Sequence, residues 1–266
     1  MLAVPIVVVV LALVAAFVAH FWLRARVAGE DEDGLKLSDM VGPLQTLTVL
    51  LLAFTLVTAS GSYRAAVQQA RVEANAVDHL NEVSDYAPAS ARRQLGADIA
   101  CYARAVRSYE WPAMREGDSS PVPSVWSTHL RSDFKKLMDE PSFGMLVSAD
   151  NERAKARQER LAEANPAIPE PVFWFLLVCL VLTLVALGLA LPRRRAAAQL
   201  TGMVVFAVLL GGALVIIRDV DYAFGGAVSV QPTAISDVAR QAARDYATDH
   251  DISQLPCDEK GAPKSA

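Results

Sequence analysis

The sequence predicts an all-α integral membrane protein with four transmembrane helices and a helical extramembrane bundle between spans two and three. The first observation is composition: 53% of the 266 residues are hydrophobic, and the mean hydropathy is +0.28. The second is the concentration of these residues in four blocks. Each block is long enough to cross a bilayer core of about 30 Å as a helix of about 20 residues. The third is the helical spacing of apolar residues between the blocks.

The four predicted spans contain almost no side chain that is charged near neutral pH, which is typical of membrane helices. His20 is the exception, and it lies close to the end of the first block. No basic residue precedes that block, and its apolar run is too long for a cleaved signal, so we expect an uncleaved anchor. The predicted spans are residues 2–23, 41–60, 172–191 and 196–217.

Basic residues predict the orientation of the protein in the cell membrane. Short loops rich in Lys and Arg stay cytoplasmic. The prediction therefore places both termini and the long segment 61–171 outside the cytoplasm. Basic residues also flank that long segment at both ends, which leaves the opposite orientation open. The basic side chains of the two short linkers are Arg24, Arg26, Lys36 and Arg193–Arg195.

The extramembrane segment is predicted to form four helices. The first continues span two to about Asp85 and ends before Pro88, which disfavours a helical residue in front of it. The other three cover about 89–110, 125–139 and 145–164, separated by loops that contain Pro and Gly. The apolar side chains predicted to face the bundle core, by their helical spacing, are Leu95, Ile99, Tyr102, Val106, Tyr109, Trp126, Leu130, Phe134, Leu137 and Met138.

The C-terminal segment 218–266 is predicted to be a polar tail with one short amphipathic helix at about 234–249. We expect its last residues, CDEKGAPKSA, to be disordered. The chain therefore divides into two transmembrane hairpins, a helical domain and a tail. Their bounds are 1–60, 172–217, 61–171 and 218–266.

Composition and motifs argue against several classes of function. The net charge of −4 argues against nucleic acid as a partner. The four histidines are far apart and lack the spacing of metal ligands, and no G-x-S-x-G or phosphate-binding glycine loop occurs. We therefore predict no enzymatic activity, no cofactor and no metal. Cys101 and Cys257 would lie on the same side of the membrane and could pair if that side is oxidising. Two unrelated thiols are the alternative.

A few residues suggest specific roles beside ordinary ones. Glu73 could lie on a solvated helix face or carry its charge near a vestibule. Trp111 could be an interfacial anchor, a ligand platform or a packing residue. Asp219, Asp221 and the Gly225-Gly226 pair could bind an ion, or the glycines could simply redirect the chain after span four.

Several of these positions together resemble one family, the bestrophin-like family of uncharacterised bacterial membrane proteins. The resemblance covers most of the chain, and the EWPAM stretch is among its most specific parts. Ala223 and Gly225 depart from the proline and serine that are usual there. The matching positions are Glu73, Tyr102, Glu110, Trp111, Pro112, Arg157, Arg160, Trp174, Asp221, Phe224 and Gly226.

The resemblance implies similarity to bestrophins, which are pentameric anion channels with four spans per subunit. Span two lines the pore of those channels and contributes phenylalanines to its neck. The implied pore-lining residues here are Leu50, Phe54 and Val57, which would make a dry constriction in a homo-oligomer. The implied partners are the lipid bilayer and chloride or another small anion. Bestrophins keep the helical domain in the cytoplasm, opposite to the orientation that the basic linkers predict. The alternative function is a non-conducting membrane interaction or stress-response protein.

Overall fold

The computed structural model describes residues 3–23, 37–190 and 196–264, and helices make up the regular structure within these ranges. In chain order they are α1 (Ala3–Val18, followed by a π-helical turn at Ala19–Leu23), α2 (Leu37–Ser84), α3 (Ala89–Ala105, followed by a π-helical turn at Val106–Glu110), α4 (Trp111–Met114), α5 (Val122–Lys135), α6 (Phe143–Ala162), α7 (Glu170–Ala190), α8 (Ala196–Asp221) and α9 (Thr233–Asp249). The basic linkers 24–36 and 191–195 lie outside the described residues.

The chain divides into two units. The apolar unit comprises Met1–Gly61 and Ala167–Asp221, and the polar unit comprises Ser62–Pro166 and Tyr222–Ala266. Helix α2 contributes residues to both. The tail from Tyr222 onward therefore belongs to the same unit as the segment between spans two and three.

All four predicted spans fall on helices of the apolar unit that are long and apolar enough to cross a membrane. Helix α1 packs against α7 and α8. Gly188 on α7 permits this approach, since an added Cβ would lie 2.5 Å from the Ala16 carbonyl oxygen. His20 Nδ1 donates to the Gly188 carbonyl at 3.0 Å. The Thr48 and Thr183 hydroxyls pair at 2.7 Å between α2 and α7, so these buried polar groups are satisfied.

The polar unit has one hydrophobic core, made by α2, α3, α5, α6 and α9. Leu95, Ile99, Trp126 and Leu130 are buried there, as the helical spacing predicts. Two expectations were wrong. Met138 is 63% exposed, because α5 ends at Lys135 and the chain has already left the helical register. The tail is also not a free end: a disulfide and buried hydrogen bonds hold it against the unit.

Candidate functional site

Arg160 on α6 is the centre of a buried charge cluster in the polar unit. Its guanidinium is fully buried and donates to one carboxylate oxygen of Glu73 and to one of Glu110. The third nitrogen contacts the Met114 sulfur, and the guanidinium lies 5.1 Å from the centre of the Trp111 ring. Burial lowers the pKa of Arg160, but the two carboxylates outweigh burial and the net pKa is raised. The cation therefore stays charged because it is paired on two sides.

Arg157, one turn earlier on α6, binds the same carboxylate of Glu110. Its Nη2 and Nε lie 2.5 Å and 3.1 Å from Glu110 Oε1. The same guanidinium donates to the Ser124 hydroxyl at 3.0 Å and to the Ser120 carbonyl at 3.3 Å. Glu110 is thus held by two arginines, and the planar fork of Arg157 also ties α6 to the start of α5.

Tyr102 extends the cluster on the Glu73 side. Its hydroxyl donates to Glu73 Oε1 at 2.7 Å, and the Arg153 guanidinium lies 4.4 Å from the centre of its ring. Arg153 in turn donates to Asp150 Oδ1 at 2.7 Å. Burial first, and then the Glu73 charge, raise the pKa of Tyr102, so the phenol remains a neutral donor. We call Glu73, Tyr102, Glu110, Asp150, Arg153, Arg157 and Arg160 the arginine network. It pairs three guanidinium groups with three carboxylates.

Local sequence explains how these groups meet. Arg153, Arg157 and Arg160 are spaced i, i+4 and i+7, which places them on one face of α6. Glu110 is the last residue of the π-helical turn, and such turns shift the phase of a helix relative to its neighbours. Pro112 follows in the first turn of α4, where a missing N–H leaves no helical hydrogen bond unmade.

Trp111 is a packing residue rather than an exposed platform. It is 2% exposed, and its indole N–H donates to the Val230 carbonyl at 2.9 Å. Phe224 packs edge-to-face against it with ring centres 5.6 Å apart. The next residue, Gly225, is needed for close approach, since an added Cβ would lie 2.7 Å from the Arg115 carbonyl oxygen. Neither Gly225 nor Gly226 is among the described glycines with positive φ, so close approach is what requires glycine at position 225.

Asp221 ends α8 in the apolar unit and holds the turn before α7. Its Oδ1 accepts hydrogen bonds from the backbone N–H groups of Ala167 and Ile168, at 3.0 Å and 3.1 Å. This carboxylate therefore stabilises the chain's return to α7. Asp219 is also largely buried.

The three pore-lining candidates share one exposed face of α2. Leu50, Phe54 and Val57 are 50%, 71% and 70% exposed. Their spacing of four and three residues keeps them in line along the helix. A single chain therefore leaves three large apolar side chains uncovered on this face.

Cys101 and Cys257 form a disulfide that fixes the tail to α3. Gly261 then passes so close to α3 that an added Cβ would lie 2.7 Å from the Cys101 carbonyl oxygen, and its φ of 91° favours glycine. Its carbonyl accepts a hydrogen bond from the buried Trp126 indole at 2.7 Å. The end of the chain thereby becomes part of the polar unit.

Comparison with known proteins identifies the family. The profile of the bestrophin-like domain family matches residues 6–235. The chain belongs to the bestrophin-like family. Its fold is similar to that of a bacterial bestrophin homologue from Klebsiella pneumoniae, with a TM-score of 0.70 and 13% identity over 92% of this chain and 99% of that one. A tryptophan-to-alanine variant of that homologue gives a TM-score of 0.71 and 13% identity over 92% and 98% of the two chains. No curated protein matches.

The bestrophin-like fold and the four apolar helices together support a membrane location. Within the polar unit, the structure brings Glu73, Tyr102, Glu110 and Trp111 into one cluster with Phe224 beside it. Asp221 lies in the apolar unit. The expectation of a solvated face for Glu73 was wrong, because its side chain is 1% exposed and paired with Arg160.

Sequence reasoning missed Asp150, Arg153 and Met114 as members or neighbours of the cluster. It predicted helix α6 at about 145–164 but assigned no partners to its charged side chains. The sequence did contain a signal for these residues. The three arginines of α6 lie on its apolar face, where Leu146 and Ala149 are also buried. Arginines in register with a buried stripe indicate buried cations, and buried cations need carboxylate partners.

Proposed function

We propose that this bestrophin-like protein is a homo-oligomeric channel for small anions, with α2 lining the pore. The main support is one exposed face of α2, whose side chains are apolar in the first part of the helix and largely polar in the second. Leu50, Phe54 and Val57 occupy its first part. At the same helical spacing, the exposed positions that follow are Gly61, Arg64, Gln68, Arg71 and Asn75.

The apolar part of this face suits a narrow gate. Rings of Phe54 and Val57 from several copies would make a constriction that excludes water when it is closed. Because a single helix cannot enclose a path, the function requires a closed ring of copies.

The polar part of this face suits anions. Arg64 and Arg71 repeat at an interval of seven residues, so a ring of subunits would carry two rings of guanidinium groups. Glu73 is the one acidic residue of α2 between Leu50 and Asn75, and it is buried. Rings of positive charge raise the local concentration of chloride and repel cations.

We further propose that the polar unit lies outside the cytoplasm. The basic linkers after spans one and three favour that orientation. The disulfide between Cys101 and Cys257 supports it as well, because disulfides persist in oxidising compartments and are rare in the cytosol. The proposed orientation is opposite to the one that the resemblance to bestrophins implies, which places the helical domain in the cytoplasm.

The test is ion flux through purified protein in liposomes. We expect the parent to pass chloride and bromide faster than sodium or potassium. Phe54→Ala should raise the rate of flux by widening the constriction and easing its wetting. Arg64→Glu together with Arg71→Glu should shift selectivity from anions toward cations, since the rings would change sign. Arg131→Glu is the control, because it makes one such change of charge at an exposed position on α5.

Three results would count against the proposal. A monomer in detergent removes the ring that the pore needs. Liposomes that leak no ions above empty controls would favour the non-conducting interaction protein. Equal selectivity in the parent, the double glutamate variant and the Arg131→Glu control would place the selective site somewhere other than this face of α2.

A further inference from the structure

Four arginines from two helices converge on one open cleft of the polar unit. The cleft has a volume of about 400 Å³. Arg104 and Arg107 come from the end of α3 and the turn after it, and Arg240 and Arg244 come from α9. The floor is made of small or apolar side chains, namely Ala239, Ala243, Ala247 and Ile252. Alanine every fourth residue along α9 keeps this floor shallow, so the guanidinium groups form the walls.

The cations in this cleft are only partly balanced. Glu259 on the tail lines one edge, and Asp237 pairs with Arg240 on the exposed surface of α9. Asp258 also acts on Arg104 through its charge, although its Oδ1 accepts hydrogen bonds from the backbone N–H groups of Lys260 and Ala262. The four guanidinium groups therefore have three carboxylates near them, and the cleft keeps a net positive charge.

The spacing of the arginines works against the stability of the empty cleft. Arg240 and Arg244 are four residues apart on one helix, and like charges at that spacing repel each other. Burial first, and then the charge of Arg107, lower the pKa of Arg104. Arg104 and Arg107 donate to the backbone carbonyls of Asp258 and Glu259, both at 3.3 Å. Each guanidinium carries five N–H donors, so these bonds leave most of them available to a ligand.

We propose that this cleft binds a phosphate-bearing anion between α3 and α9. Arginine recognises phosphate through paired N–H donors in a planar fork, and two pairs of arginines on facing walls suit a ligand with more than one negative charge. The ligand would be either a soluble phosphate compound or the phosphate of a lipid headgroup. The site is separate from the proposed conduction path, and it does not depend on whether the protein conducts.

The experiment is calorimetric titration of the purified protein, in detergent at low salt, with inorganic pyrophosphate in one arm and dihexanoyl phosphatidylglycerol in the other. Arg240→Gln/Arg244→Gln is the main variant, because neither of these arginines holds the tail in place. Arg131→Gln removes one charge from an exposed position on α5 and serves as control. We expect the parent to bind one of the two probes, the double variant to bind at least about tenfold more weakly, and the control to match the parent.

Arg104→Gln gives a second test from the opposite wall and should also weaken binding. Binding of pyrophosphate would identify a soluble phosphate ligand, and binding of the short-chain lipid alone would identify a headgroup. Binding of neither probe would overturn the proposal. So would equal binding in the parent and the Arg240→Gln/Arg244→Gln variant, provided that the variant melts at the same temperature as the parent.

Discussion

Arg160 shows how one side chain can join separate segments of the polar unit. Its guanidinium contacts Glu73 on α2, Glu110 in the turn after α3 and Met114 on α4. Forming such a buried pair adds little stability over an apolar core, since both partners lose water. Removing one partner is different, because the remaining charge stays buried without compensation. The arginine network therefore specifies how these segments assemble.

We predict that Arg160→Met will lower the free energy of unfolding of the polar unit by about 3–5 kcal/mol, because it leaves Glu73 without its cation. Thermal and urea unfolding in detergent will measure the loss. Lys155→Met on the same helix is the control. Lys155 is 76% exposed and lies 3.8 Å from Glu159, so its loss should cost less than about 1 kcal/mol.

A second substitution checks the cause. Glu73→Gln removes the charge that Arg160→Met leaves behind, so the double variant should be more stable than the sum of the two single losses allows. Simple additivity would mean that the two residues act independently, against the contact seen in the structure.

Asp98 predicts a pH dependence of stability. It is fully buried, and burial first, then the Asp133 charge, raise its pKa to about 7. The His129 ring lies 4.0 Å from it, and Gln94 donates to it at 3.1 Å. Because the pKa is higher in the folded state than its ordinary value of 3.8, the protonated carboxyl stabilises the fold at low pH. That contribution is complete below about pH 4 and is lost as the pH rises through 7.

We therefore expect the melting temperature of the parent to fall between pH 5 and pH 8 more steeply than that of Asp98→Asn, which has no proton to lose. Differential scanning fluorimetry across this range is the measurement. Asp237→Asn is the control, because Asp237 is 65% exposed and should leave the slope of the parent unchanged. Identical slopes in parent and Asp98→Asn would contradict the assignment.

At the scale of elements, a disulfide holds the tail in place more than the packing of the tail's own few apolar side chains does. The segment after α9 contains one short 3₁₀ turn at Ile252–Gln254, and its apolar side chains are few. The disulfide spans 156 residues of sequence and joins this segment to α3. Closing so long a loop restricts the unfolded chain strongly, which stabilises the folded state.

We predict that Cys101→Ser/Cys257→Ser will reduce stability by about 2–5 kcal/mol and will make the tail sensitive to protease. Unfolding curves and limited proteolysis, read by mass spectrometry, will show both effects. Reducing agent should reproduce them in the parent. Cys179→Ala is the control, since this cysteine is buried on α7 and unpaired. A tail that is equally resistant with and without the disulfide would show that hydrogen bonds alone hold it.

At the scale of the whole molecule, orientation is the property that most affects function, because it decides which compartment the polar unit faces. We predict that a cysteine replacing Ser119, which is exposed between α4 and α5, will react with a membrane-impermeant thiol reagent on intact cells. A cysteine replacing Ser38, beside the first basic linker, should react only after lysis. The reverse pattern would place the polar unit in the cytoplasm. Cys179→Ala gives a suitable background for both.

The sequence by itself determined the class of protein and the positions of its helices. Uncharged apolar blocks of about 20 residues are long enough to cross a bilayer as helices, so composition alone predicts the four candidate spans. Local spacing likewise determined the buried faces of α3 and α9, with Ile99 and Ile235 inside. These properties depend on residues close together in the chain.

Only the tertiary structure decided what the charged residues do. Glu73, Glu110 and Arg160 are separated by tens of residues in the sequence, so no local pattern predicts that their side chains pair. A charged residue on a helix is usually solvated, so their burial becomes visible only when three helices are placed together. The same holds for the tail, whose polar composition predicts disorder although Cys257 and Gly261 are bound to α3 and α5. Long-range pairing decided both outcomes, because the energy that orders these groups comes from partners remote in sequence.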